Sequence, residues 1–134
     1  MAKEETNKGK RRYDLEERLL EFSVRIMNVA EALPNTRAGN HVAAQLIRCG
    51  TSPAPNYAEA QSAESRNDFI HKIKIVLKEL RETKVWLSII QRKRLLANGS
   101  NKLNAIITEC DELISLFVAS VKTAKANKSL KRQE

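Results

Sequence analysis

An all-α fold, an antiparallel bundle of four helices in up-down-up-down order, is what this sequence predicts, and three observations predict it. Four Gly and three Pro among 134 residues leave little material for turns. Leu, Ile, Ala, Lys and Glu dominate, a composition that favours helix over the β-branched and aromatic runs of a sandwich. Apolar residues recur at steps of four and three in four successive segments, the period of a helix with one buried face. At 42% hydrophobic content the chain can close a single core, and its length suits one domain.

The first helix is expected from Asp14 to Leu33, with Leu15, Leu19, Phe22, Ile26, Val29 and Leu33 on one stripe. Asp14 followed by Glu17 is a capping-box pattern, and Pro34-Asn35 supplies the stop. The second runs from Ala38 to Cys49 through Val42, Ala43, Leu46 and Ile47, then meets Pro53 and Pro55 before resuming at Asn56 to Gln61. Each proline removes an amide donor and crowds the preceding turn, so this helix should kink or break near Ser52. Ser52 and Asn56 have the side chains to satisfy backbone groups freed there, and Gln45 or Glu59 could satisfy Arg48 or a helix end. The third helix starts at Ser65, with Asp68 in the capping position, and is expected to reach Leu96 through Phe69, Ile73, Val76, Leu80, Thr83, Leu87 and Ile90. Asn98-Gly99 should end it, and Ser100 or Asn101 should cap a fourth helix carrying Leu103, Ile106, Cys110, Leu113, Phe117 and Val121.

Charge divides the chain differently. Of the formal +8, residues 1–13 carry +3, with Lys10, Arg11 and Arg12 prominent, and residues 122–134 carry +4, with Lys128, Lys131 and Arg132 near the end. The body, 14–121, keeps only +1. This reads as a bundle between two basic tails, the first disordered, which either seek polyanions or only confer solubility. No apolar run approaches the length of a membrane span and no signal peptide opens the chain, so a soluble cytoplasmic protein without membrane contact is expected. Cys49 and Cys110 lie at helical spacing among apolar residues and read as free buried thiols.

The third helix carries more than one seam requires. Ile75, Val85, Trp86 and Ile89 project away from its stripe, which points to self-association unless the kinked second helix or a tail folds over them. Lys74, Lys78, Arg81 and Arg92 occupy a narrow band of the same back face, and Lys93 and Arg94 follow at the end, where positive charge suits the helix dipole. Repeated in an oligomer, this band and the tails would make a basic surface for phosphates; the alternative is a solvated face balanced by Glu79 and Glu82. Phe22, Phe69 and Phe117 belong to core stripes, and Tyr13, Tyr57 and Trp86 are too scattered to form a stacking platform, so any nucleic acid would be held by backbone and shape.

Catalytic chemistry finds little support. His41 and His71 have no metal-ligand companions, Gly9-Lys10 lacks the spacing of a phosphate loop, and the Glu-x-x-His pairs of dimetal bundles are missing. No enzyme, cofactor or metal is expected.

At the kink the residues resemble a known family. Gln45-Leu46-Ile47-Arg48, the run Thr51-Ser52-Pro53-Ala54-Pro55-Asn56-Tyr57-Ala58-Glu59-Ala60, then Ser65, Asp68-Phe69 and Leu77-Lys78-Glu79-Leu80 resemble the bacterial four-helix bundle proteins named for 23S rRNA intervening sequences. The resemblance spans about residues 14–121 and departs at Ala60, where a glycine is usual, and at Pro55, an added proline. It implies a homo-oligomer, a pentamer by analogy with the related accessory proteins of diversity-generating retroelements, which bind nucleic acid and a reverse transcriptase. The expectation is therefore a non-enzymatic oligomeric adaptor that contacts structured RNA or DNA through phosphates. A protein-interaction scaffold, for example for a reverse transcriptase or ribosomal component, is the rival, and an enzyme subunit whose active site lies on its partner is a weaker third.

Overall fold

A computed structural model describes the backbone of residues 2–97 and 100–133 and the side chains of residues 14–97 and 101–127. The described residues form five helical segments: α1 (Ala2–Ala32), α2 (Arg37–Thr51), α3 (Pro53–Gln61), α4 (Arg66–Lys93) and α5 (Ser100–Gln133). α2 and α3 are the two limbs of the bent second helix, so the molecule is the expected antiparallel four-helix bundle. α1 packs on α2, α2 on α4, α4 on α5 and α5 back on α1, while α3 lies against α1 and α4.

The bend falls at Ser52, as the two prolines require, yet Ser52 keeps helical dihedrals, φ −66° and ψ −34°. Pro53 and Pro55 deprive the carbonyls four residues earlier, those of Cys49 and Thr51, of their amide partners. Asn56 does not reach those carbonyls. Its Nδ2 donates instead to the carbonyl and the hydroxyl of Ser52, both at 2.9 Å, and so clamps the one residue between the limbs.

Four helix ends differ from expectation, among them that of α5, which continues past Val121 to Gln133 where a tail was expected. α1 begins at Ala2, so Asp14 stands inside the helix and not at its cap. α2 is capped by Thr36, whose Oγ1 accepts from the Gly39 amide at 3.0 Å. α4 stops at Lys93, three residues short of Leu96. Arg94 turns left-handed at φ 55°, and the Arg94 and Leu95 amides donate to the carbonyls of Gln91 and Ile90, the double bond of a Schellman turn. Asn98 and Gly99, expected to form that stop, lie outside the described residues. Ser65 caps α4 as predicted, accepting from the Asp68 amide at 3.1 Å.

The stripes meet in one core, with Leu19, Phe22, Ile26, Leu46, Ile73, Leu80, Leu87, Leu113 and Phe117 sealed from solvent. Tyr57, on the short limb α3, joins them edge-on to Phe117 at 5.4 Å between ring centres. Phe69 is only half-buried, and Ile70 takes the sealed position at the start of α4. At the other end of the chain, packing continues past Val121 to Ala124. α1 and α2 pack tightly at Gly50, where a Cβ would lie 2.5 Å from Cγ2 of Ile26, so this crossing favours glycine. Cys49 and Cys110 are free and buried; burial pushes the Cys110 thiol up to about 12 and raises that of Cys49.

Candidate nucleic-acid interface

Two sets of cations frame the candidate surface. The first faces sister helices and is neutralised. Arg18 of α1 forms a two-pronged pair with Glu109 of α5 and reaches Glu112 at 2.9 Å, and its guanidinium pKa is raised chiefly by the bond to Glu109. Arg48 of α2 is held by Glu79 at 3.4 Å, by Glu82 and by the Gln45 side chain at 3.2 Å. Lys72 meets Glu59 at 2.5 Å, tying α4 to α3, and Lys84 meets Asp111 at 2.6 Å, tying α4 to α5. The kink residues thus divide their work: Gln45 serves Arg48, whereas Glu59 serves Lys72.

The second set points outward. Lys74, Lys78, Arg81, Arg92, Lys93 and Arg94 are exposed, and none has an ion-pair partner among the described residues. Glu79 and Glu82, the carboxylates offered by the sequence to balance this face, turn to Arg48 instead. Helical rise separates Arg81 from Arg92 by about 16 Å, so the band is two clusters and not one. The first cluster gains neighbours that sequence reasoning placed in a tail: Lys122 and Lys125 of α5 join Lys74, Lys78 and Arg81 along one groove of about 590 Å³. Their signal in the sequence was the continued apolar step from Val121 to Ala124, which extends the fourth helix. The side chains of Lys10, Arg11, Arg12, Lys128, Lys131 and Arg132 lie outside the described residues.

The apolar back face is only partly free. Val85 is 57% and Ile89 38% exposed, but Ile75 is half-buried. Trp86 is half-buried too: its indole N–H donates to Glu82 at 3.2 Å and its ring stands edge-on to His41 of α2 at 5.7 Å. The second helix therefore covers Trp86, which is not the free anchor the helical wheel suggested. Helical spacing overlooked a second exposed apolar row, Leu20, Val24 and Met27 on α1, with Ile47 exposed on the adjoining α2. Leu20, Val24 and Met27 lie about 120–180° from the centre of the α1 stripe, on the face opposite the core, whereas Ile47 belongs to the apolar run of the second helix yet stands exposed.

His41 and His71 are exposed and belong to different helices. Among the described residues no group of His, Cys, Asp or Glu could hold a metal ion, and no helix is long and apolar enough to cross a membrane.

The family model of the 23S rRNA-intervening sequence protein matches residues 11–119, which take in the kink, the ion-paired seams and the basic face of α4. The chain belongs to that family. A solved structure similar to it is a protein of unknown function from the S23 ribosomal protein family of Bacteroides thetaiotaomicron VPI-5482, 34% identical, covering 81% of this chain and 98% of that one, with a TM-score of 0.73. No curated protein matches the chain.

Proposed function

We propose that this member of the intervening-sequence family is a non-enzymatic, homo-oligomeric adaptor that binds structured RNA or DNA through phosphates. One observation carries the reading: Arg18, Arg48, Lys72 and Lys84 are paired with carboxylates of sister helices, while Lys74, Lys78, Arg81, Arg92, Lys93 and Arg94 have no carboxylate among the described residues to neutralise them. Exposed, unpaired cations retain their full attraction for a phosphate, and binding releases condensed counterions. The family name, tied to rRNA, fits such a partner.

The exposed Val85 and Ile89, and the row Leu20, Val24 and Met27, support self-association and keep the scaffold reading as the rival. Salt separates the two. With about four or five phosphates engaged, affinity for a fluorescein-labelled RNA duplex should fall roughly 200-fold between about 50 and 200 mM salt. Binding of a protein partner through apolar surface would barely respond. In sedimentation, Val85→Glu/Ile89→Glu should shift the assembly toward monomer; a wild-type monomer at micromolar concentration would overturn the oligomer.

A further inference from the structure

The groove between α4 and α5 allows the reading above, on which this inference rests, to be made specific. Its walls are cationic on both sides, Lys74, Lys78 and Arg81 from α4 and Lys122 and Lys125 from α5. No carboxylate, amide or aromatic side chain lines it. Its floor is Leu77 and Val121, nearly closed at 6% and 8% exposed, with Val118 half-buried between them. An apolar or amphipathic peptide would therefore gain little by docking there. What the groove offers is positive charge in a line.

The register of the two helices gives the length of that line. Lys84 meets Asp111, and Gln91 meets Asn104, so each step up α4 matches one step down α5. On that register Lys125 comes level with residue 70, and the cations extend from there to Arg81, about 16 Å at the helical rise. Five cations line that length, enough to neutralise about four or five phosphates of a polyanion laid along it. We infer that the α4–α5 groove seats one phosphodiester strand of a duplex lengthwise, with Lys122 and Lys125 as its second wall and without reading base sequence. The duplex form follows from the lining: unpaired bases are held by aromatic stacking, which these residues cannot supply, while a backbone ridge needs only cations. Sequence indifference follows from the same list, since no lining side chain offers the paired donor and acceptor geometry of base readout.

The test is fluorescence anisotropy of the full chain with an RNA duplex of about 20 base pairs, titrated over salt. Four or five neutralised phosphates predict a slope of log affinity against log salt of about −4. Lys122→Gln/Lys125→Gln should reduce its magnitude to about 2 and weaken binding roughly 50-fold at about 0.1 M salt. Arg37→Gln/Lys102→Gln removes the same charge from exposed positions outside the groove and should leave the slope within experimental error. Two duplexes of unrelated sequence should bind within about twofold of each other, and a single strand of the same length should bind more weakly. Equal losses from both double variants, or tighter binding of the single strand, would overturn the groove assignment while leaving nucleic-acid binding intact. No binding by the wild type at about 50 mM salt would overturn both.

Discussion

Gly50→Ala is the most direct probe of the crossing that sets α2 against α1. The added Cβ would stand 2.5 Å from Cγ2 and 3.0 Å from Cγ1 of Ile26. Carbon atoms pack at about 3.5–4.0 Å, so about 1 Å must be found. Ile26 cannot yield it cheaply, because it is sealed in the core and its branched side chain is restricted to one rotamer in a helix. Overpacking of this kind costs about 1–3 kcal/mol, against which alanine gains about 1 kcal/mol over glycine in a helix interior. The net expectation is a loss of about 1 kcal/mol, or a fall in melting temperature of about 4 °C for a domain of this size. Calorimetry on the single variant measures that loss, and a cycle with Ile26→Ala decides its cause. In the Ile26→Ala background Cγ1 and Cγ2 are gone and only Cβ, at 3.2 Å, stays close, so Gly50→Ala should lose most of its cost and stabilise by up to about 1 kcal/mol. A Gly50→Ala protein that melts above the wild type would refute the close approach itself.

Three further outcomes follow from local geometry. Asn56→Ala removes both bonds to Ser52 and should lower stability by about 1 kcal/mol in urea denaturation; unchanged stability with lost nucleic-acid binding would move Asn56 from clamp to contact. Arg94→Gly relieves a left-handed backbone at φ 55° and should raise stability by about 1 kcal/mol by calorimetry, with no gain if the turn after Lys93 is wrong. Burial raises the Cys110 thiol from its ordinary 9.0 to about 12, so its contribution to stability is intact below pH 9 and is lost as pH climbs through 12. The stability difference between wild type and Cys110→Ala should therefore shrink by about 4 kcal/mol across that interval, and a difference independent of pH would show that the thiol is accessible.

Periodicity located the helices because burial follows the helical repeat: Leu19, Phe22, Ile26, Leu80, Leu87 and Phe117 all lie where their stripes put them. It failed where a second neighbour widens the buried face. α4 packs on α2 and α3 on one flank and on α5 on the other, so Ile70 and Leu77 are buried beside the stripe while Phe69 slides to its edge. Helix ends were less legible for a related reason. Arg94 turns left-handed without the glycine that usually announces it, and Asp14 has the chemistry of a cap but stands within a helix that begins earlier. The candidate site was legible as to charge and not as to grouping. The outward direction of Lys74, Lys78 and Arg81 follows from the helical wheel. That Glu79 and Glu82 are taken by Arg48, and that Lys122 and Lys125 stand opposite, depends on how neighbouring helices are aligned, which one helix's spacing does not contain.

The division of cations into paired and unpaired sets also bears on how such a protein can change over generations. Arg18, Arg48, Lys72 and Lys84 tie helix to helix, and a replacement there leaves a carboxylate without its partner. Lys74, Lys78, Arg81, Lys122 and Lys125 hold no helix in place. If the proposed polyanion contact holds, substitutions among these five would strengthen, weaken or redirect it while the helix-to-helix ties stay as they are, so binding and folding would be separable by mutation.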